Sequence, residues 1–303
     1  MKKKIGCILA VFCLLAAVLS GCGATTKPGT AAENAGAAES GLCIKMLDVG
    51  QGDAILIRTA EQTILIDTGD LDEHDKFEAA LKKEKVTKVD KLIITHPHAD
   101  HLGGASVVFK DCEVKAVYDN GQSTNSKFYR EYLKTIKAKG IDYKALLDGD
   151  VLDFGGGVSF QVLSPTKEMV ADGGKAKDGK INLNLNSIVG RLSYGSFSML
   201  FTGDAEQETE AGILQRHNPQ ELKSLLLKSP HHGSKTSSSP AYLKAVAPEA
   251  ALISLGTGNE YGHPHKVTLD KYSKMHIKVW RTDQSGTITV TTDGSKYEIK
   301  GEK

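Results

Sequence analysis

This 303-residue chain has little of several things, and each shortage excludes a class of protein. Charge of one sign is scarce: 38 Lys and Arg stand against 37 Asp and Glu, a net of +1. Three of the lysines are Lys2, Lys3 and Lys4, so from Cys22 onward 35 basic residues face 37 acidic ones, a net of −2. A polycationic DNA coat of the histone kind is excluded. Only one long apolar run occurs, which excludes a multi-span membrane protein. Aromatic residues make up 6% and leave little for base stacking. Five cysteines are present, and only Cys43 and Cys112 lie beyond residue 22, which is no disulfide framework. No repeat of solenoid length is present. What remains, 40% hydrophobic and 25% charged, is ordinary for a globular protein and argues against overall disorder.

Lys2, Lys3 and Lys4 precede the apolar run Ile5–Leu19. Fifteen residues are short for a bilayer span and fit the apolar region of a signal peptide. The run ends in Leu19-Ser20-Gly21-Cys22, which resembles a bacterial lipobox. That resemblance implies cleavage before Cys22 and lipid on its sulfur. The expected order is a signal peptide over 1–21, lipidated Cys22 with a flexible tether over 22–41, and one domain over 42–303. Thr25 to Ser40 is Ala/Gly/Thr-rich without periodicity, as a tether requires. The protein is then expected to be exported and held on the outer side of the cell membrane by lipid alone. Cys43 and Cys112 are left either as a disulfide or as two buried thiols.

In the body, Cys43–Val49, Ala54–Arg58 and Thr63–Asp67 read as strands punctuated by Gly50, Gly52 and Gly69. Phe77–Lys85 and Ser126–Lys139 have helical periodicity, and Lys91–Thr95 is a short buried strand. Ser159–Leu163 is a strand, and Ser164–Leu185 has little pattern. Ser187–Ser193 and Phe197–Thr202 pair around Tyr194-Gly195. Glu206–Arg216 and Pro240–Ala247 read as helices. Leu225–Leu227, Ala250–Leu255, His276–Trp280, Thr287–Thr291 and Lys296–Ile299 read as strands. Two series of strands mixed with helices predict a layered α/β protein with helices outside its sheets.

The decisive segment is Thr95-His96-Pro97-His98-Ala99-Asp100-His101. It packs four potential metal ligands into six residues, directly after an apolar strand. A core rarely tolerates such groups unpartnered, and imidazole with carboxylate is the ligand set of zinc and related metals. His231 and His232 are further ligand candidates. In extended chain they would point opposite ways, so one metal takes only one of them. His232 is preferred as ligand, with His231 as proton donor, and the reverse assignment stays open. Ser234, Lys235 and Thr236 offer donors to an oxyanion. His263 and His265 either contact substrate or stabilise a turn. Asp48 and Asp53 read as structural hydrogen-bonding groups, and His74, His217 and His276 as surface histidines.

The H-x-H-x-D-H pattern, Ile64-Leu65-Ile66-Asp67-Thr68-Gly69 and Leu200-Phe201-Thr202-Gly203-Asp204 resemble the metallo-β-lactamase superfamily. Leu47-Asp48-Val49-Gly50-Gln51-Gly52-Asp53, Asn186-Ser187-Ile188-Val189, Lys228-Ser229-Pro230-His231-His232-Gly233-Ser234, Tyr261-Gly262-His263-Pro264-His265 and Arg281-Thr282-Asp283 resemble the hydrolase domain of ComEC-like competence proteins and stand-alone relatives. The resemblance implies a four-layer αββα sandwich with two divalent metal ions, zinc or manganese. It implies His96 and His98 on the first metal, Asp100 and His101 on the second, where His232 is the preferred further ligand, Asp204 bridging them, and Asp67 as a structural orienter. Catalytic roles would fall to Asp100, Asp204 and His231, and substrate contacts to Asn186, Ser187, Ser234, Lys235 and His265. One departure is plain: no histidine lies between His101 and Asp204, where many relatives place a first-metal ligand, and Asn184, Asn186 and Ser187 stand there instead.

The implied chemistry is metal-assisted hydrolysis of a phosphodiester, DNA first. Phosphorylcholine esters and other cell-wall substrates are the alternative, and a non-catalytic surface binding or scaffold protein is the alternative of another class. A net of −2 leaves only local lysine clusters to attract a strand, so DNA affinity would fall steeply with salt.

Overall fold

The central strands of this chain are near-continuous buried runs such as Ile55–Arg58, Phe197–Phe201 and Ala250–Ile253, whose successive side chains point to opposite faces, and they build two large sheets covered on both sides. The computed structural model describes residues 41–303. The expected signal peptide, Cys22 and the tether up to residue 40 lie outside the described residues.

The first half runs β1 (Leu42–Met46), β2 (Ile55–Arg58), β3 (Thr63–Ile66), α1 (His74–Lys83), β4 (Lys88–Val89), β5 (Lys91–Ile93), α2 (Ala99–Leu102), α3 (Ala105–Asp111), β6 (Glu113–Val114), β7 (Ala116–Asp119), α4 (Lys127–Lys139) and β8 (Asp142–Ala145). The second half runs β9 (Val151–Asp153), β10 (Ser159–Ser164), α5 (Lys167–Ala171), β11 (Val189–Tyr194), β12 (Phe197–Phe201), α6 (Gln207–Arg216), α7 (Pro219–Leu222), β13 (Leu226–Lys228), α8 (Pro240–Val246), β14 (Ala250–Ile253), α9 (Lys266–Lys274), β15 (Lys278–Arg281), α10 (Thr282–Ser285), β16 (Ile288–Thr292) and β17 (Tyr297–Gly301).

An eight-stranded sheet has the order β17-β16-β1-β2-β3-β5-β7-β8 and a seven-stranded sheet the order β15-β14-β13-β12-β11-β10-β9. Each is part antiparallel and part parallel: β3, β5, β7 and β8 run parallel in the first, and β12 to β15 in the second. Ile55, Ile57, Ile64 and Ile66 of the first sheet join Phe197, Met199, Phe201 and Leu252 of the second in one core between the sheets. The alternate residues Leu56 and Leu65 face outward to Phe77, Val108 and Tyr132 of the helices. On the other side Leu200, Ala251 and Ile253 face Ile213, Leu243 and Tyr272. Helices therefore cover both outer faces, which is the four-layer αββα sandwich. Each fully buried Leu, Ile or Phe contributes roughly 1.5–3 kcal/mol, so the three cores supply most of the driving force.

The elements that the sequence pattern leaves out are mostly edges and short pieces. β8 and β9 are edge strands with largely exposed or polar side chains, so no alternation marks them. The low-pattern stretch after residue 164 holds α5 and a short helical turn, Leu183–Asn186. Cys43 and Cys112 are free buried thiols. His276 is exposed, but His74 and His217 are half-buried: His74 Nε2 lies 2.7 Å from the Gly103 carbonyl and His217 Nε2 2.9 Å from Asp148.

Candidate metal centre

The site forms where strands of both sheets end. Asp67 follows β3, the histidine loop follows β5, Asp204 follows β12 and His232 follows β13. Backbone approach is close here. Gly52 has φ +111°, and a β-carbon on it would lie 2.3 Å from the Asp100 carbonyl oxygen. Only glycine allows that contact, through which the Asp53 N–H donates to the same carbonyl (3.0 Å). Ser254 Oγ donates to the Gly52 carbonyl (2.7 Å), and the Ile188 N–H to the Thr95 carbonyl (2.9 Å). These bonds tie the two halves together at the site.

Asp67 accepts from the Thr95 N–H and hydroxyl, both at 2.7 Å, and its Oδ2 lies 2.8 Å from His101 Nδ1. With Nδ1 donating to Asp67, His101 turns Nε2 toward the cluster, 3.2 Å from Asp204 Oδ1, where loss of the Nε2 proton leaves a lone pair for a metal. His232 is set the same way. Its Nδ1 donates to the Ser254 carbonyl (2.8 Å), and its Nε2 lies 3.2 Å from Asp100 Oδ2 and 3.6 Å from Asp204 Oδ1. One ligand atom from each of Asp100, His101, Asp204 and His232 lies within 4.8 Å of the others. His101 Nε2 and Asp204 Oδ1 are buried without a hydrogen bond. Two orphaned atoms within one set of two nitrogens and two oxygens fit a divalent cation.

His96 and His98 lie beside this cluster, not in it. His96 Nε2 and His98 Nδ1 are 3.0 Å apart, and the His96 ring centroid is 4.2 Å from that of His101. His231 and His232 do not sit in extended chain: both have left-handed backbone, φ 49° and 51°. They still diverge. His232 is buried in the cluster. His231 is half-buried, with Nδ1 3.3 Å from Glu206 and 3.2 Å from Thr236 Oγ1, and Nε2 3.7 Å from Asp204 Oδ2.

Burial would drive Asp204 and Asp100 upward, but the surrounding histidines outweigh it, and both carboxyls stay below the ordinary range. Burial likewise opposes charge on His101, yet Asp204, Asp100 and Asp67 hold it well above its ordinary value. His96 has no such excess of carboxylates, and burial pushes it well below.

The expected substrate contacts are placed differently. Asn186 is fully buried, and its Nδ2 donates to Gln122 Oε1 (2.9 Å) and the Met169 carbonyl (3.1 Å). Ser187 is fully buried, and its Oγ accepts from the Asp204 N–H (3.2 Å), so it orients a ligand. Ser234 is buried and bonds Thr236 Oγ1 (3.0 Å). Lys235 is exposed, and its N–H donates to His265 Nδ1 (3.2 Å), which occupies that histidine in the loop. The cavity over the cluster, about 340 Å³, is lined by His98, Asp100, Asp204, His231, His232 and His263 among others. Of the two histidines around Pro264, His263 is the one that faces it.

Two residues at the centre were not legible as such. Lys228, fully buried at the end of β13, pairs with Asp53, and its Nζ donates to the Gly203 carbonyl (3.0 Å). Burial would discharge it, but Asp53 and Asp204 hold its pKa above the ordinary lysine value. Asp53 Oδ1 also lies 3.6 Å from His232 Nδ1, and its Oδ2 3.8 Å from His101 Nδ1. Asp53 is therefore electrostatic support for the cluster, beyond a turn-stabilising group. A lysine closing the apolar run Leu225-Leu226-Leu227 was the available signal.

The sequence profile of the Metallo-beta-lactamase superfamily matches residues 47–257, more than half the chain. The chain is 30% identical over 263 residues to ComE operon protein 3 of Bacillus subtilis (strain 168), covering 81% of this chain and 32% of that protein. It is 30% identical over 252 residues to Competence protein ComA of Neisseria gonorrhoeae, covering 82% and 32%. It thus spans about a third of the length of these curated relatives. Among solved structures it is similar to CmlA, a diiron beta-hydroxylase from Streptomyces venezuelae, with TM-score 0.53, 14% identity, and 84% of this chain and 54% of that one covered. That likeness shows the fold alone. Among the described residues no helix is long and apolar enough to cross a membrane.

Proposed function

This chain belongs to the metallo-beta-lactamase superfamily, and from that membership we propose a metal-dependent phosphodiesterase, with DNA as its first substrate, exported and held at the membrane by lipid on Cys22. The observation that carries the reading is the convergence of Asp100, His101, Asp204 and His232, all but the fully buried His101 lining one cavity. Relatives named for competence support a nucleic-acid substrate. The lipobox-like Leu19-Ser20-Gly21-Cys22 supports the anchor.

Divalent metal bound at this centre supplies Lewis-acid polarisation and an acidified water. The residues do the rest. Asp67 and the Ser254 carbonyl fix the tautomers of His101 and His232, so both present Nε2 to the cluster. Ser187 fixes the backbone of Asp204. Lys228 offsets part of the carboxylate charge from behind. Glu206 and Thr236 hold His231 by Nδ1 and turn Nε2 toward Asp204 and the cavity, so that the doubly protonated ring can hand its Nε2 proton to the departing oxygen.

The test is a substrate panel on the purified chain: single-stranded DNA, duplex DNA, RNA, bis(nitrophenyl) phosphate and nitrophenyl-phosphorylcholine, each with manganese and with zinc. Turnover of DNA and the synthetic diester, lost in Asp204→Ala, supports the reading. Turnover of the phosphorylcholine ester alone moves the substrate to cell-wall chemistry. No turnover and no bound metal overturn the enzyme. Membrane fractionation of Cys22→Ala tests the anchor, since a variant still processed and membrane-bound removes the lipid.

A further inference from the structure

A second cavity, about 620 Å³, lies beside the first, and His98 lines both. One wall is the loop Gln122 to Asn125 between β7 and α4, and the other is Gly173 with Ile181, Asn182 and Leu183. Apart from His98, no side chain on these walls is ionisable. Ser123, Thr124 and Asn125 offer hydroxyls and an amide, while the Asn182 amide is held within the fold by Glu206 (2.8 Å) and the Asn184 N–H (3.1 Å). Ile181 is 64% exposed at the edge, an apolar surface that nothing in the fold requires to be open.

The walls are fixed before any ligand arrives. Buried Gln122 donates from Nε2 to the Gly173 carbonyl (2.8 Å) and accepts at Oε1 from Asn186 Nδ2 (2.9 Å). Asn120 Nδ2 donates to the Asn186 carbonyl (2.9 Å). Three amide side chains thus staple the two loops together, which is preorganisation of a groove next to the metal centre. A run of phosphates is bound by lysine and arginine, and these walls have neither. Neutral hydroxyl and amide groups instead recognise a neutral partner through its own hydroxyls and amides, while Ile181 covers one flat face.

We propose that this groove is a subsite for the neutral, hydroxyl-bearing part of the substrate, a nucleoside or a glycosyl unit, held while the phosphate to be cleaved lies at the metal cluster. The assignment rests on the phosphodiesterase reading and narrows it. Recognition falls on the unit flanking the phosphate and not on the charged backbone.

The test has two readouts on the full-length chain. Saturation-transfer NMR with thymidine and with glucose measures binding without turnover. The ratio of kcat/KM for the nitrophenyl ester of thymidine 5′-phosphate, or of glucose 6-phosphate, to that for methyl nitrophenyl phosphate measures selectivity. Thr124→Val and, separately, Asn125→Leu each remove one polar partner. The second variant is needed because Thr124 Oγ1 also contacts Ser126 Oγ (2.9 Å) at the start of α4. Each is expected to weaken binding of the preferred ligand and to lower the ratio by roughly three- to tenfold. The preferred ligand identifies the source, nucleic acid or glycan. Binding of neither ligand, or values unmoved by both variants, overturns the subsite. If no diester is cleaved but binding depends on these residues, the phosphodiesterase reading fails while the neutral-ligand groove stands.

Discussion

The two sheets build one centre in opposite ways. The first supplies its candidate ligands Asp100 and His101 from a single loop after β5, with His96 and His98 beside them within the same six residues. The second supplies Asp204 and His232 from the ends of two different strands, β12 and β13. The first set needs only a turn and a buried orienter, Asp67. The second needs two neighbouring parallel strands in register, a left-handed pair of residues at His231 and His232, and backbone anchors from Ser187 and Ser254. Consecutive left-handed backbone at non-glycine residues costs about 1–2 kcal/mol each, which the surrounding bonds must offset. Proximity in sequence gives local geometry only, and the placing of Asp204 and His232 depends on how the strand ends meet.

The largest expected effect tests the dispersed set. Asp204→Ala should lower kcat/KM on bis(nitrophenyl) phosphate by on the order of a thousandfold with unchanged circular dichroism. A loss below tenfold would show that the contiguous loop suffices. Gly52→Ala tests the seam between the sets. Its β-carbon meets the Asp100 carbonyl, so urea unfolding should show about 2–3 kcal/mol lost. Gly140→Ala, with open space around it, should cost about 1 kcal/mol. Equal costs would deny that the seam is tight. Asp67→Asn sharpens the contiguous side: chelator competition should show metal affinity down roughly 10–100-fold, with the fold kept.

The smallest effect lies away from the centre, at Asp90 in the bend between β4 and β5. Its carboxylate accepts from the Thr63 N–H (2.9 Å) and pairs with Lys88 and Lys115, both at 2.9 Å. Burial would raise its pKa, but these partners lower it to about 2. Because the folded value is the depressed one, its contribution is full above the ordinary carboxylate range. It is lost as pH falls from about 4 through about 2. Urea midpoints measured across that window should fall less steeply in Asp90→Asn than in the parent chain.

Much of this was legible beforehand. The apolar strand runs Ile55–Arg58 and Thr63–Ile66 and the amphipathic helix Lys127–Lys139 follow local rules, and the structure has them within a residue or two. The histidine loop announced itself by density alone. Edge strands β8 and β9 did not, because they bury almost nothing. Asn186, Ser187 and Ser234 carry donors and acceptors that suit a substrate, but those groups face inward and hold the loops. Polarity at a motif says that a group must be partnered, not by what.

Residue order alone determined a layered α/β protein with helices outside its sheets and a loop dense in metal-ligand types, since both follow from periodicity and from residue types spaced along one turn; the four-layer arrangement came with the family resemblance. Only the tertiary structure decided that His232 and not His231 enters the cluster, that Lys228 and Asp53 stand behind it, and that a neutral groove opens beside His98. Those outcomes depend on which strand ends meet across two sheets, and no local spacing encodes that distance.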